Sequence, residues 1–328
     1  MDSSPGPAAP ISESSSPVAE PGRSGVVCPI CRSSNTWLHR SDVTDLEYFV
    51  VPDRAFSIEK CGSCGSEFLD PRPTEAELPP FYPSDYHAYN ENHGRVARLL
   101  VEARARSRAR FYGRLITHRP GRLFDVGTGD CRHFDELRRF LELECAGIEI
   151  QPDIAARGRA RGYDVLEGTL ETADLDGHVG TYDVVSMNHV LEHVVHPRLM
   201  LDRAFELLRP GGHVIGQLPT VSSWENRLFG RNFGGYHYPR HLQIPSRSGL
   251  AALLEDVGLS EVTVKSAPHI QTTISLQNTL VRHGWHPRMK NGKTPVYTEL
   301  LVAALPYEAF AWLCDEGGIV DFQGRKPG

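Results

Sequence analysis

Four of the seven cysteines form two Cys-x-x-Cys pairs, Cys28 with Cys31 and Cys61 with Cys64. Each pair places two thiolates on one tight turn, and the two turns together offer zinc four sulfur ligands in a tetrahedron. The 29 intervening residues exceed the usual spacing, but the cost of closing a loop grows only logarithmically with its length. A redox pair would accompany a βαβ pattern, and neither pair does. The spacing therefore predicts a structural zinc ribbon over residues 26–70.

A glycine turn, Gly127-Thr128-Gly129, follows the apolar run 123–126. A turn of this kind at the carboxyl end of a strand binds a nucleotide-like ligand. The dinucleotide fingerprint needs a third glycine, and Arg132 in that position disfavours NAD because its side chain would obstruct a buried pyrophosphate. S-Adenosylmethionine has no phosphate, so two close glycines suffice for it.

Glu149 ends the next predicted strand, 22 residues after Gly127. In Rossmann-type sites an acid at this distance accepts hydrogen bonds from two ribose hydroxyls. The segment Gly168-Thr169-Leu170, after the third strand, would flank the adenine. The alternative is that the glycines only turn the chain and that Glu149 caps a helix. The agreement of strand, glycines and downstream acid favours S-adenosylmethionine as the cofactor.

Two histidine-bearing segments, 189–193 and 236–241, also follow predicted strands. Methyl transfer from a sulfonium needs in-line positioning, plus a base when the acceptor is a hydroxyl or an acidic carbon. Histidine has a suitable pKa for that proton, so we predict that His189, His193 and His241 form a catalytic cluster. The spacing His189-x-x-Glu192-His193 predicts three ligands on one helical turn, which with His241 would hold a second, catalytic metal. The alternative is that these residues only cap and pack a helix.

Strands and helices that alternate must position these groups, and the chain has that pattern from Arg122 onward. Apolar runs predict strands over 123–126, 146–150, 164–166, 184–187, 214–218, 262–265 and 319–323. Helical patterns occupy 133–141, 153–161, 197–208 and 247–257. A largely helical insertion over about 267–316 separates the last two strands.

The segments before this sheet differ in composition. Residues 1–25 are rich in Ser, Pro, Ala and Gly, with few apolar groups to offset ordering entropy, which predicts a disordered tail. Residues 71–94 are dense in Pro and aromatic residues and are interpreted as a linker that packs on another surface. A strand is predicted over 47–51, inside the ribbon, and a helix opens the domain of residues 95–328.

The composition is that of a soluble globular protein, with 40% hydrophobic and 23% charged residues among 328. No stretch has the ~18 apolar residues of a membrane span, and the first residues lack a secretory pattern. These features predict a cytoplasmic protein without a membrane partner. The formal net charge of −6 disfavours a polyanion as the main partner, which leaves a small-molecule substrate.

Taken in order, the motifs resemble those of class I S-adenosylmethionine-dependent methyltransferases. The motifs are Asp125–Gly129, Gly147–Glu149, Tyr182–Val185, Val190–Val194 and Leu208–Gly212. The front end, with its paired cysteines and the segments 69–73 and 82–86, is similar to bacterial zinc-ribbon methyltransferases, including those that C-methylate deoxysugars. The resemblance implies a Rossmann-like α/β sheet behind an N-terminal zinc ribbon. It also implies O- or C-methylation of a small molecule in bacterial specialised metabolism.

The resemblance assigns cofactor-binding roles to single residues. They are Asp125, Gly127 and Gly129 at the methionine end, Glu149 at the ribose, Leu170 over the adenine, Asn188 beside the sulfonium, and Tyr86, which would close over the cofactor.

His241 lies where the sugar C-methyltransferases have a similar histidine-bearing segment, so it is the leading base, with His193 second. The metal pattern resembles the Glu-x-x-Glu-His site of ubiquinone-pathway and small-RNA methyltransferases, with His189 in place of the first glutamate. Cys131 replaces the third loop glycine of the family, and the extra C-terminal domain of the sugar enzymes is missing. The substrate is therefore not carried over from them.

Two other functions stay open. Nine arginines between Arg95 and Arg122, opposed only by Glu102, fit an RNA or tRNA methyltransferase that uses the ribbon as a reader. A solvated or partner-facing helix explains them too. The other alternative is a protein that retains the cofactor-binding fold without methylating, because a fold alone does not determine chemistry.

Overall fold

A computed structural model describes residues 26–49, 56–82, 95–285, 289–290 and 292–328. These residues form two sheets, with helices on both faces of the larger one. The strands are β1 (Thr36–Val43), β2 (Phe56–Cys61), β3 (Glu67–Asp70), β4 (Gly121–Val126), β5 (Leu143–Glu149), β6 (Asp164–Glu167), β7 (Tyr182–Asn188), β8 (Leu208–Pro219), β9 (Gln243–Ile244), β10 (Ser260–Ser266) and β11 (Ile319–Arg325). The α-helices are α1 (Arg95–Leu115), α2 (Arg132–Arg138), α3 (Pro152–Ala160), α4 (Pro197–Leu207), α5 (Trp224–Phe229), α6 (Arg247–Asp256), α7 (Thr272–Arg282) and α8 (Tyr297–Leu313).

The larger sheet has seven strands in the order β6-β5-β4-β7-β8-β11-β10. The first five are parallel, and β11 runs antiparallel to both of its neighbours. The order reverses at β4, with β5 on one side and β7 on the other. The carboxyl ends of these strands therefore bound the kind of crevice that binds ligands in open α/β sheets. The predicted Rossmann-like sheet is confirmed.

Successive residues of each central strand enter different apolar cores, because strand side chains alternate between the two faces. Leu123 and Val184 pack with apolar residues of α1, α2 and α3. Phe124 and Val185 pack on the other face with those of α4 and α6. Both faces are covered, which explains why the strands are near-continuous apolar runs.

The smaller sheet has four antiparallel strands in the order β1-β2-β3-β9. The first three strands belong to the cysteine-bearing module, whereas β9 lies between β8 and α6 in the chain. Glu67 pairs with Ile244, and Phe68 pairs with Gln243. Cys28 and Phe68 also share an apolar cluster with residues of α6. The module is thus joined to the larger sheet by a strand that the sequence analysis did not predict.

A buried ion pair also joins the loop after β1 to the segment before β9. Arg240 is fully buried, and its guanidinium donates one hydrogen bond of 3.0 Å to each carboxylate oxygen of Asp45. Burial alone would raise the pKa of the Asp45 carboxyl, but the hydrogen bonds and charge of Arg240 outweigh it and lower that pKa. Asp45 also accepts the backbone N–H groups of Glu47 and Tyr48, at 3.0 and 3.1 Å.

This loop shows that the strand predicted over 47–51 is wrong in its described part. Glu47–Phe49 contains bends rather than strand, because the Asp45 side chain satisfies local backbone N–H groups that a sheet would otherwise use. The rest of that prediction, the tail of residues 1–25 and the linker residues 83–94 lie outside the described residues.

The other predicted elements of the larger sheet are present, with ends that differ by up to a few residues. The exception is β8, which begins six residues earlier than predicted, so α4 passes directly into it. α5 was not predicted, and α7 and α8 lie within the helical insertion. In the part of the chain that the structure describes, no helix is both long and apolar enough to cross a membrane; the cytoplasmic location stays a prediction.

Replacement of Asp45 by Asn should lower the free energy of unfolding by about 3–5 kcal/mol, because it leaves the Arg240 charge buried without a counter-ion. Asn keeps an oxygen that accepts the two backbone N–H groups. The decrease in the free energy of unfolding therefore measures the loss of the carboxylate charge and not the loss of the turn. Urea unfolding of the wild type and the variant measures this difference.

Asp176→Asn, at an exposed turn position, is the matched control and should leave the urea midpoint unchanged. The double variant Asp45→Asn, Arg240→Met should recover part of the lost stability, since no uncompensated charge remains buried. An Asp45→Asn protein as stable as the wild type would show that the ion pair does not stabilise the packing of the loop after β1 on the segment before β9.

Candidate functional site

The turn after β4 has a conformation that glycine permits. Gly127 and Gly129 have φ angles of 71° and 58°, in the left-handed region where a side chain is strained. A Cβ at Gly127 would come within 3.0 Å of the Cγ2 of Val190, which lies on the turn after β7. The glycine turn is therefore in close contact with the histidine-bearing turn.

Glu149 contacts this glycine turn from the end of β5. Its carboxylate accepts the backbone N–H of Gly129 at 2.9 Å and that of Gln151 at 3.0 Å. Burial raises the pKa of Glu149, against the opposing effect of these hydrogen bonds. The structure thus brings the predicted ribose acceptor and the predicted glycine turn together.

Asp125 lies near the end of β4 and connects three elements. Its carboxylate accepts a hydrogen bond from the Ser186 hydroxyl of β7 and lies 3.1 Å from Nε2 of His133 in α2. The sequence analysis did not identify either partner, although His133 follows the glycine turn by only four residues. The contacts hold the Asp125 carboxylate in place beside the crevice.

The remaining predicted cofactor residues have different environments. Leu170 is fully buried, and the nearby Gly168 donates its N–H to the Glu149 carbonyl at 3.0 Å. Asn188 ends β7 and is exposed. Tyr86 lies outside the described residues. The roles of Leu170, Asn188 and Tyr86 toward the cofactor stay predictions.

His193, on the turn after β7, and His241, just before β9, have ring centroids 4.6 Å apart. Nδ1 of His193 lies 3.0 Å from the carbonyl oxygen of Arg240, and Nδ1 of His241 lies 2.7 Å from that of Gly235. A carbonyl can only accept, so we assign the ring proton to each Nδ1 and a lone pair to each Nε2. Both histidines can therefore accept a proton or bind a metal through Nε2.

Glu192 is the acidic member of this cluster and is fully buried. Its Oε1 lies 4.0 Å from Nε2 of His241 and 3.3 Å from Nδ1 of His189. Its Oε2 is buried and has no hydrogen-bond partner among the described residues. Ligand atoms of Glu192, His193 and His241 all lie within 4.8 Å of one another, close enough to share one cation.

The predicted helical turn over His189–His193 is wrong. His189 has a φ of 54°, and the N–H of His193 donates to the carbonyl of Val190 at 2.9 Å, as in an isolated turn. α4 begins only at Pro197, a residue whose fixed φ suits the first position of a helix. His189 therefore borders the cluster through Glu192 but is not one of the three residues that could share an ion.

The protein interior keeps the two central histidines uncharged. Burial lowers the pKa of His193. Burial, together with the charges of His193 and His237, lowers the pKa of His241 well below its ordinary range. Both imidazoles are therefore neutral near pH 7, which is the state that can accept a proton.

Tyr82 and His237 also contact the cluster, and the sequence analysis gave neither a site role. The Tyr82 hydroxyl lies 3.0 Å from Nδ1 of His193. The ring of His237 lies 5.0 Å from that of His241, and its Nδ1 lies 2.6 Å from Oε1 of Glu47. Tyr82 lies in the motif 82–86, and His237 lies in the histidine-bearing segment 236–241. These two motifs are the sequence features that could have identified both residues.

The four predicted zinc ligands converge in the cysteine-bearing module. The sulfur atoms of Cys28 and Cys64 are 3.7 Å apart, those of Cys31 and Cys61 are 3.4 Å apart, and all four lie within 4.8 Å of one another. Zn–S bonds of ~2.3 Å in a tetrahedron place sulfurs about 3.8 Å apart, whereas a disulfide needs ~2.05 Å. The donor set and its spacing therefore fit a zinc site with four cysteine ligands.

A methyltransferase-domain family matches residues 94–264, slightly more than half of the chain, and the chain belongs to this family. The matched region contains the glycine turn, Glu149 and the histidines of the cluster. Together with the strand order, the match makes the larger sheet that of a Rossmann-like methyltransferase.

The chain is similar to a trans-aconitate 2-methyltransferase of Deinococcus radiodurans, with 27% identity over 201 residues that cover 56% of this chain and 71% of that enzyme. It is 43% identical over 51 residues to a ubiquinone biosynthesis O-methyltransferase of Pectobacterium atrosepticum, over 16% of this chain and 21% of that enzyme. The chain thus spans about a fifth of the second relative's length.

Among solved structures, a SAM-dependent methyltransferase of Archaeoglobus fulgidus matches 70% of this chain and 94% of its own, at 19% identity and a TM-score of 0.46. The strand order, rather than this score, carries the fold assignment. The family match, together with the strand order, indicates an S-adenosylmethionine-dependent methyltransferase.

Glu149→Ala should weaken the binding of S-adenosylmethionine by ~1–3 kcal/mol, the usual cost of removing a hydrogen-bond partner from buried polar groups. Calorimetric titration of the cofactor measures the change. Glu149→Gln keeps one acceptor oxygen and should lose less.

Glu167 is the matched control because it is the register partner of Glu149 on β6 and is exposed. Glu167→Ala should bind the cofactor as the wild type does. If Glu149→Ala binds S-adenosylmethionine with unchanged affinity, Glu149 does not contribute to the cofactor site.

Proposed function

We propose that the protein transfers the methyl group of S-adenosylmethionine to an oxygen or carbon atom of a small-molecule acceptor. The observation that carries this proposal is the pair of neutral histidines, His193 and His241, grouped around the turn that follows β7. That turn contacts the glycine turn through Val190. The relatives named above, one an O-methyltransferase and one a trans-aconitate methyltransferase, support this acceptor class.

The bound cofactor supplies an electrophilic methyl group on a sulfonium. Glu149 and the glycine turn hold the cofactor on the β4–β5 side of the crevice, and the histidines receive the acceptor on the β7 side. The acceptor gives its proton to an imidazole Nε2, and its electron pair forms the new bond to the methyl carbon. The bond between that carbon and the sulfonium sulfur breaks at the same time, and S-adenosylhomocysteine is the leaving group. The displacement proceeds only when acceptor and methyl group are in line, which the rigid strand ends favour.

His241 is the leading base. Its Nδ1–H donates to the Gly235 carbonyl at 2.7 Å, and its Nε2 lies 4.0 Å from the buried carboxylate of Glu192. A nearby negative charge favours the protonated imidazole and so opposes the burial that lowers the pKa of His241. His193, held by the Arg240 carbonyl, is the second base, and His189 borders Glu192 from the other side.

A divalent cation at the same cluster is a second version of this chemistry. The buried Oε2 of Glu192 has no partner among the described residues, and a cation would satisfy it. One carboxylate and two imidazoles, from His193 and His241, form a donor set that suits several divalent metals. Such an ion would lower the pKa of an acceptor hydroxyl and so replace the histidine base.

The four cysteines hold one structural zinc ion in this proposal. Four thiolates fill every tetrahedral position, so the ion has no open site for substrate. Residues 26–70 then form a zinc ribbon, residues 71–94 a linker, and residues 95–328 the methyltransferase domain.

The described side chains do not favour the nucleic-acid alternative. Glu102 pairs with Arg106 at 3.3 Å and with Arg139 at 2.7 Å, and Arg122 pairs with Glu144 at 2.9 Å. Part of the positive charge around α1 is therefore neutralised within the protein, whereas phosphate binding rests on unpaired Lys and Arg.

Incubation with S-adenosylmethionine labelled in its methyl group, and with separate small-molecule and RNA fractions of the host cells, tests the acceptor class. Label should enter the small-molecule fraction. With that acceptor, His241→Ala should lower turnover by roughly 10²-fold or more while cofactor affinity is retained.

His213 is the control histidine, because its register with Val184 places it away from the strand end that carries the cluster. His213→Ala should turn over as the wild type does. Normal turnover in both His241→Ala and His193→Ala would disprove the base assignment, and label in RNA alone would disprove the acceptor class. If a chelator leaves the ribbon zinc in place and yet stops turnover, the result would favour a divalent cation at the histidine cluster over the histidine base.

Metal analysis of the purified protein should find one zinc ion per chain bound at the cysteines. Cys61→Ser should lose the ion together with the structure of the ribbon, because metal binding and folding are coupled in such modules. Cys314→Ser, at an exposed cysteine outside the ribbon, is the control and should keep the ion. A folded wild-type protein without zinc would contradict the assignment.

A further inference from the structure

A narrow cleft separates the cysteine-bearing module from the insertion side of the methyltransferase domain. Its cavity volume is about 30 Å³, which is room for a small charged group. One wall is the end of β1 and the loop that follows it. The opposite wall combines the segment 231–238 with the last turn of α7. The cleft therefore lies where the module, the histidine-bearing segment and the insertion meet.

Three arginines from three different elements line this cleft: Arg40 of β1, Arg231 before the histidine segment, and Arg282 of α7. The side chain of Arg282 is exposed, but desolvation of its guanidinium by neighbouring atoms, together with the charges of Arg231 and Arg40, lowers the pKa of this group. The three guanidinium groups therefore repel one another. This repulsion raises the free energy of the folded protein. An anion bound among the three guanidinium groups would relieve it.

The cleft offers little negative charge of its own to balance these arginines. Among its described lining residues the acidic side chain is Glu47, and its Oε1 is only 2.6 Å from Nδ1 of His237. Arg282 donates to the neutral oxygen of Asn232 at 2.7 Å. The local charge is therefore positive, although the whole chain has a formal net charge of −6.

Two hydrogen-bond donors in the lining lack partners. The Nε of Arg40 and the hydroxyl of Tyr238 are buried, and neither has a hydrogen-bond partner in the described parts of the chain. Tyr238 is 4% exposed. A buried donor without a partner costs free energy, and an oxyanion is the complementary acceptor. The guanidinium of Arg40 also lies over the ring of Tyr236, 5.4 Å from its centroid, which restricts its orientation.

The cleft is next to the histidine cluster. His237 lines the cleft, and its ring centroid is 5.0 Å from that of His241, which in turn is 4.6 Å from that of His193. Only the ring of His237 would therefore lie between an anion in the cleft and His241, the leading base. A small molecule with an acidic group could place that group among the arginines and its nucleophilic atom near His241.

We propose that this cleft binds an oxyanion group of the methyl acceptor, a carboxylate or a phosphate, through Arg40, Arg231 and Arg282. The proposal rests on the proposed function, since it treats the bound molecule as the acceptor. Guanidinium groups match both anions because their paired N–H donors fit two oxygens at once.

Calorimetric titration of the zinc-loaded full chain with inorganic phosphate and, separately, with malonate tests the site at low ionic strength. At least one of the two anions should bind, and the stronger one identifies the anion class. Arg231→Gln and Arg282→Gln, at exposed positions, should each weaken that binding at least about tenfold, because hydrogen bonds to charged groups are lost. Arg40→Gln should do the same.

Arg110→Gln, on the exposed side of α1, is the matched control and should bind the anion like the wild type. Every variant is also titrated with S-adenosylhomocysteine, whose affinity should not change. Absence of binding of both anions, or equal binding by the wild type and the Arg231→Gln, Arg282→Gln double variant, would overturn the anion site. Failure of the wild type to bind S-adenosylhomocysteine would instead contradict the proposed function.

Discussion

Arg240 is always charged and fully buried, and the carboxylate that neutralises it, Asp45, comes from the loop after β1, 195 residues away in the sequence. Arg240 directly precedes His241, and its backbone carbonyl holds the ring proton of His193. The ion pair therefore anchors the segment that carries His241 to the loop after β1. A surface ion pair would contribute little, but a buried one that loses a partner leaves a costly charge.

The cysteine-bearing module supports the same segment in a second way, through the pairing of β3 with β9. β9 begins at Gln243, two residues after His241, and Gln243 donates through its side chain to the carbonyls of Leu191 and Val194 at 2.6 and 3.0 Å. The strand pairing is thus connected to both histidine-bearing turns. A structural metal far from the reacting atoms would then still matter for turnover, because it holds the sheet to which β9 is added.

The sequence could predict those parts of the fold that depend on neighbouring residues. The apolar strands, the glycine turn and Glu149 follow from local periodicity and from an acid at a fixed distance, and the structure places these groups together. The run of Glu47–Val51 has strand-forming residue types, but in its described part the Asp45 side chain accepts the backbone N–H groups of Glu47 and Tyr48, and these two residues form bends instead of a strand. The helical turn predicted over His189–His193 is likewise absent, because α4 begins only at Pro197.

Long-range partners could not be predicted, because no local pattern specifies them. The contact of Tyr82 with His193, the pairing of Asp45 with Arg240 and the addition of β9 to the small sheet all join segments more than a hundred residues apart. Each of these three contacts supports the histidine cluster. The sequence indicates only that Tyr82, His193 and Arg240 lie in recognisable motifs. It does not indicate which residues they contact.

The two halves of the crevice are consequently built in different ways. The cofactor side uses a glycine turn and one carboxylate from consecutive elements, so its construction is local and can be shared among proteins with different substrates. The acceptor side combines Tyr82, His193 and His241 from three distant segments. A change in the loop after β1 or in the segment before β9 would alter the acceptor side without touching the glycine turn. In the proposed function, specificity for the acceptor would therefore depend mainly on how the cysteine-bearing module packs on the larger sheet, and cofactor binding would depend on the strand ends of that sheet.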